Sequence, residues 1–359
     1  MYFTAKGELA VSRQAFAKAR ELIDPRAFTE ISDAIVDEYE KACQTKKTYK
    51  GYRLIAVDGS IIDLPDNPRT RLYFGYSTNG TGKAHAKGLA MAAYDVLNRI
   101  TIFAELYRYD DSEKKKMLNI AEGFKGLPVY QNALFLLDRG YPSFELFKQF
   151  QRDGQKFLVR VSKNSLKEVN RCSKADSVID VVRNGSKVKL RVLNILLSTG
   201  ETEKLVTNLF ELQADEFQAL YGMRWGVETS FNFIKNKLLL ETFTGESIIA
   251  VLQDFYSSIL MLNMASIAYA EQEDVLEESG LTKNRKYRYK PNMSRLICDI
   301  KALWVKLLVS DKPYKWISLL INDKTRILAY AYAEVPDRHH PRDFGGQGAH
   351  KHTHSSLPL

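Results

Sequence analysis

Three carboxylates stand where a chain could use them for chemistry. Asp58 follows the apolar run LIAV and Asp138 follows LFLL, so each closes a stretch that reads as a buried strand. A strand end holds a side chain rigidly yet leaves it open to a ligand. Taken alone, such an aspartate is more often a turn or cap residue; two in one chain bring the choice close to even. Glu228 lies in YGMRWGVETSFNFIK, residues 221–235, with Tyr221, Arg224 and Lys235. Three hard oxygen donors suit Mg2+, which binds through a few carboxylates and leaves room for phosphate oxygens. Two such ions about 3.5–4 Å apart can clamp both oxygens of an in-line phosphoryl transfer. Arg224 and Lys235 beside them would hold phosphate, the arginine through paired hydrogen bonds.

The elements that must position these groups follow from periodicity. Counting about 100° per residue from Phe217, residues Leu220, Val227, Phe231, Ile234 and Leu238 form an apolar stripe between about 260° and about 320°. On the same count Tyr221, Arg224, Glu228 and Lys235 fall within about 60° of one another, a polar row beside that stripe. One helix with a functional row at the edge of a core is the expectation. The plainer alternative is a solvated face with an i,i+4 pair between Arg224 and Glu228. Gly222 and Gly226 count against it, since each costs about 1 kcal/mol inside a helix and suggests close approach of a backbone or a ligand.

Residues 12–44 read as helical and TKKTYKGY as a basic linker, before the strand RLIAVDGS. LYFGYSTNGTGKAHAKG is loop-like in composition. GLAMAAYDV and RITIFAELYRY suggest an antiparallel hairpin joined through LN. Asp95 adjoins that connection and is expected to be a turn residue, not the second metal-binding acid. A helix capped at Asp111 or Ser112, the strand NALFLLD, the helix PSFELFKQFQRDG and the strand KFLVRVS follow. VIDVVRNGSKVKLRVLNIL alternates about an Asn-Gly turn and reads as part of a β-rich insertion, residues 160–210. The helix bearing Glu228 should start near Asp215, and further helices should run to about residue 332.

The 359 residues carry a formal charge of +9 with a pI near 9.2, which favours a polyanionic partner. Cys43, Cys172 and Cys298 are too few and too far apart for a disulfide framework or a zinc site, and a reducing compartment fits them. MYFTAKGELA lacks the pattern of a secretory signal. Residues 247–270 are apolar but hold Gln253, Asp254 and Asn263, which argues for a buried helix rather than a membrane span. The segment after residue 335 holds five of the six histidines and reads as a disordered tail.

The spacing Tyr221-x2-Arg224-x3-Glu228-x6-Lys235 resembles the signature of bacterial insertion-sequence transposases of the DDE type with a YREK motif. VDGS at Asp58, YDVLN, LLDRGY at Asp138 and ETFTG agree with it in order, and the likeness runs over roughly residues 10–335. The resemblance implies an α/β fold: an RNase H-like mixed five-stranded sheet flanked by helices, with a β-rich insertion before the helix of the catalytic Glu and helical N- and C-terminal parts. It implies a core of residues 51–159 and 211–270, an insertion at 160–210, an N-terminal helical region 1–50, a shortened part for binding DNA ends, and a C-terminal helical region 271–334. Asp58, Asp138 and Glu228 would be catalytic and hold two Mg2+ ions, with Mn2+ able to substitute. Tyr221, Arg224, Lys235, Arg139 and Trp225 would bind DNA. The implied partners are double-stranded DNA with terminal inverted repeats and target DNA, met as a homodimer in the bacterial cytoplasm and on the nucleoid, with no membrane. Relatives place a base-stacking tryptophan in the insertion. Here none lies between 160 and 210, while Trp225 matches a motif tryptophan beside Glu228, so a hairpin intermediate stays open.

Three rivals remain open at this stage. A relic could bind DNA without cutting it. A nuclease of the same fold could select DNA structure and ignore inverted-repeat ends. A sugar-cleaving enzyme with paired carboxylates is the weakest, because it leaves the basic row unexplained.

Overall fold

The structure, a computed structural model, describes residues 12–42, 47–78, 80–125, 127, 131–162, 165–196, 200–228, 230–231, 243–278, 280, 286–310 and 320–334. The chain divides into two compact units, residues 18–266 and residues 1–17 with 267–359. The first holds the three carboxylates.

Its sheet starts from β1 (Arg53–Asp63), β3 (Ala84–Asp95) and β4 (Ile100–Arg108), an antiparallel set in the order β4-β3-β1. On the other side of β1 lie β5 (Ala133–Leu137) and β6 (Lys156–Arg160), both parallel to it. The order β4-β3-β1-β5-β6, with the first three antiparallel and the last two parallel, is the RNase H-like arrangement. The β-rich segment does not stand apart as a separate small body. Its strands β7 (Asp176–Arg183), β8 (Ser186–Leu196) and β9 (Thr202–Thr207) join β6 through β9 and prolong the same sheet. Asn184 and Gly185 both have positive φ, so the β7–β8 turn is the type that Asn-Gly favours.

Period-two alternation divides the core. Leu54, Ala56, Leu134 and Leu136 face one side, where Phe217, Leu220, Val227, Phe231 and Phe255 cover them. Ile55, Val57, Phe135 and Leu137 face the other, beneath helices 113–125 and 144–152. Continuing the count, Asp58 and Asp138 belong with the first face. Helix 248–278 packs there through Val251, Phe255 and Ile259. Its Gln253 amide donates to the carbonyls of Arg20 and Ile23, and Asn263 bonds the Thr101 backbone and Ser32. Those polar residues are satisfied inside the protein, as a core helix requires.

Three expectations change in detail. The segment 72–88 is not all loop, because β2 (Tyr76–Thr78) pairs with the start of β3. The N-terminal helix is two, 13–21 and 26–42, parted just before Pro25 and Arg26. Asp95 closes β3 next to the 96–99 turn, and it is fully buried. It accepts from Arg53 Nε at 2.6 Å and from the Asn98 backbone N–H at 3.1 Å, while Arg53 also grips Glu40 of the second helix. Asp95 is thus the last strand residue before the turn, where it accepts from Asn98 and shares a buried arginine with Glu40.

In the second unit, helix 293–309 is capped by Asn292 and helix 324–330 by Asp323. Tyr289–Lys290 and Tyr332–Ala333 form a two-stranded ribbon. The histidine-rich segment lies outside the described residues.

Candidate active site

Asp58 and Asp138 are brought together by strand register. The last parallel partners of β1 and β5 are Val57 and Leu137, so the two aspartates follow as the next residues on neighbouring strands. Asp58 does not end its strand as expected: β1 runs on to Asp63, paired only with β3. Asp58 therefore sits where one ladder stops and the other continues. Its Oδ1 accepts from the Gly59 amide at 2.9 Å. Asp138 begins a turn closed by Tyr141 N–H donating to its carbonyl at 3.2 Å, and its Oδ1 accepts from the Arg139 amide at 2.6 Å.

The polar row arrives from above this face, but not on one continuous helix. Residues 216–222 form a helix, residues 223 and 224 a turn, and 225–228 resume the helix. Across the break the bonds reach three residues back, Arg224 N to Tyr221 O at 3.0 Å and Val227 N to Arg224 O at 3.2 Å. That tightening is 3₁₀-like. Gly226 follows the break, and a Cβ there would stand 2.8 Å from Val96 Cγ1, so a side chain at this position would force the β3–β4 turn or this segment to shift. Gly222 has open space around it, and close approach does not account for it.

Tyr221 and Arg224 are buried, Glu228 is half-buried, and Trp225 is 52% exposed. Arg224 links the row to the strands. Its Nη2 donates to Glu228 Oε1 at 2.6 Å, and its Nη1 lies 4.0 Å from Asp58 Oδ2. The Tyr221 hydroxyl donates to Asp138 Oδ1 at 3.5 Å, a long bond. Nε and Nη1 of Arg224 are buried with no hydrogen-bond partner. Arg139 is exposed at the rim. Lys235 lies outside the described residues.

The electrostatics follow from this crowding. Burial pushes the Asp58 carboxyl up to about 6, and the charges of Glu228 and Asp138 add to that; Arg224 and the Gly59 amide pull the other way. Burial disfavours the Arg224 charge, but its bond to Glu228 and the nearby acids outweigh this and raise its pKa. Burial raises the Tyr221 phenol, and the charge of Arg224 opposes it. Among the described residues no three His, Cys, Asp or Glu side chains stand close enough to ligate one ion. The donor set still suits a hard cation: all three acids are oxygen donors, and the repulsion Asp58 feels is what a divalent ion would relieve.

Three nearby residues carry no signal in the spacing that marked the others. Arg160, at the end of β6, pairs with Glu203 at 3.0 Å, and both charges reach Tyr221. Glu113, the first residue of helix 113–125, lies against Gly59. Tyr141, in the quoted LLDRGY, is buried below the Asp138 turn.

Residues 49–264 match the model of a family described as the transposase DDE domain. The chain is 27% identical over 135 residues to a probable transposase for insertion sequence element IS5377 of Geobacillus stearothermophilus, covering 34% of this chain and 36% of that protein. It is 27% identical over 183 residues to the putative transposase y4zB of Sinorhizobium fredii (strain NBRC 101917 / NGR234), covering 45% and 51%. The matches thus span from about a third to about half of the length of those relatives. Among solved structures, the cryo-EM structure of piggyBac transposase in a synaptic complex with hairpin DNA overlaps 79% of this chain and 58% of that one, at 11% identity and a TM-score of 0.45.

Proposed function

Because the chain belongs to the transposase DDE domain family, we propose that it is the transposase of a bacterial insertion sequence. It cleaves DNA at the element's ends and joins the freed 3′-hydroxyl to target DNA. The observation that carries this reading is the register of β1 and β5, which sets Asp58 beside Asp138 on the face that Glu228 approaches.

Asp58, Asp138 and Glu228 would hold two Mg2+ ions, with Mn2+ able to substitute. Such ions polarise phosphoryl oxygens and activate an attacking hydroxyl. The other residues bind and orient. The two unpartnered Arg224 N–H groups need acceptors, and the non-bridging oxygens of a phosphate match a guanidinium in geometry and charge. Tyr221 steadies Asp138 through its hydroxyl. Trp225 offers an open ring beside Arg224 on which a base can stack. Arg139 adds positive charge at the rim, and Lys235 is assigned to DNA binding on the sequence motif alone. The partners are double-stranded DNA with terminal inverted repeats and target DNA, engaged by a homodimer in the cytoplasm. Residues 51–159 and 211–270 serve as the catalytic core, 160–210 as the insertion, and 1–50 and 271–334 as the helical regions around them.

The test uses DNA carrying the inverted repeats that flank the coding region. Nicking at those ends with Mg2+ or Mn2+, abolished by EDTA, is the expected result. Binding without nicking under any metal would make the chain a DNA-binding relic. Equal cutting of DNA without the repeats would make it a structure-selective nuclease.

A further inference from the structure

The side of β1 facing away from Glu228 carries a second set of contacts that the reaction as described does not use. Gly59 follows Asp58 and faces helix 113–125. A Cβ at Gly59 would meet Glu113 Cδ at 2.8 Å and Oε1 at 2.9 Å. The Glu113 carboxylate therefore occupies the notch that the missing side chain leaves, one residue from Asp58. Tyr141, which ends the turn that Asp138 begins, is 1% exposed, and its hydroxyl has no hydrogen-bond partner of good geometry. Burial raises the Tyr141 phenol well above its ordinary value, and the charges of Glu113, Asp58 and Asp138 add to that. Lys114, next to Glu113, donates to the carbonyl of Pro142 at 3.4 Å and ties the helix start to the same turn. A buried hydroxyl without a partner is costly, and this one belongs to the turn that Lys114 ties to the start of the Glu113 helix.

From these contacts we infer that Glu113 and Tyr141 form a positioning pair. Glu113, seated on Gly59, receives the Tyr141 hydroxyl and so fixes the Asp138 turn to the strand that carries Asp58. This rests on the reading that the two aspartates hold metal. The pair touches neither DNA nor the reacting atoms. It sets the spacing between two ligands that sit on separate strands, the kind of outer support whose loss costs about 10–100-fold in metal affinity.

The test measures Mn2+ binding by the full chain without DNA, reading free Mn2+ by electron paramagnetic resonance, beside metal-free thermal melting. Tyr141→Phe keeps the buried ring and removes only the hydroxyl; Glu113→Gln keeps size and leaves only a neutral, weaker acceptor. Tyr141→Phe should weaken Mn2+ binding about tenfold or more and Glu113→Gln measurably but less, each with metal-free melting within about 4 °C of the parent. The double variant should bind within about threefold of the weaker single, because both changes act on one link. Parent-like Mn2+ affinity in Tyr141→Phe, or losses that multiply in the double variant, would overturn the pairing. Should Glu113→Gln fail to fold, Tyr141→Phe alone decides. Asp58→Asn separates the two levels. If it loses Mn2+ while Tyr141→Phe and Glu113→Gln keep it, the positioning role fails and the metal reading stands. If it binds Mn2+ as the parent does, or the parent binds none, both fall.

Discussion

Arg224 reaches four residues forward to Glu228 with a 2.6 Å hydrogen bond, and the same guanidinium lies 4.0 Å from Asp58. One cation thus answers two acids that come from distant parts of the chain. The i,i+4 pair is real, yet it is not the solvated pair of a surface helix, because Arg224 is buried. A guanidinium here lowers the repulsion among the acids while two of its nitrogens, Nε and Nη1, make no hydrogen bond among the described residues.

Glu228→Gln should keep the fold and end the chemistry. The amide oxygen can still accept from Arg224, so the cost in stability should be about 1–2 kcal/mol. A neutral amide is a poor ligand for Mg2+, and nicking of end DNA should drop about a thousandfold or more. Melting and nicking measured on one preparation decide the matter. Normal nicking would mean that Glu228 only neutralises Arg224.

Phosphate contact has a separate signature in salt dependence. Arg139→Ala and Lys235→Ala should each weaken end binding and reduce the slope of log K against log salt by about one counterion. Asp58→Asn removes a negative charge and should leave that slope unchanged. Parent slopes in Arg139→Ala would take the rim arginine off the DNA.

Asp95→Asn should behave in the opposite way to Glu228→Gln. Asp95 is buried against Arg53, which also holds Glu40. Glu40 still compensates Arg53, so the change weakens a charge-assisted hydrogen bond without stranding a charge, at a cost of about 1.5–3 kcal/mol. Denaturant unfolding should record that loss, while nicking below the lowered melting point should stay within about tenfold of the parent. A loss of nicking as deep as that of Asp138→Asn, with stability unchanged, would return Asp95 to the list of ligands.

Gly226→Ala should strain the approach to the β3–β4 turn, because the new methyl would stand 2.8 Å from Val96 Cγ1. Overpacking of this kind costs about 1–3 kcal/mol. Val96→Ala in the same chain should recover most of it. Equal melting of Gly226→Ala and the parent would show that the glycine serves something other than the passage past Val96.

Much of the arrangement could be read from residue order. The alternation through Leu54, Ala56 and Asp58, and through Leu134, Leu136 and Asp138, already puts both acids on one face. The Asn184-Gly185 turn announced its hairpin. Other features had no local trace. The close pass of Gly226 against Val96, more than a hundred positions away, is a tertiary contact that a wheel drawn for one helix cannot register. The pairing of Arg53 with both Glu40 and Asp95 is a tertiary choice among many charged residues. Glu113 looks like an ordinary acidic residue in a first helical turn, and only the empty side of Gly59 gives it a place.

Strand β1 continues five residues beyond Asp58 with β3 as its sole neighbour, whereas Asp138 stands in a turn and Glu228 follows a break in its helix. Amide hydrogen exchange should sort the three acids accordingly. Asp58 shares the global opening of the central strands, while the segments carrying Asp138 and Glu228 open through smaller, cheaper fluctuations. Assembly of the site would then consist of two adjustable carboxylates closing on one that stays still.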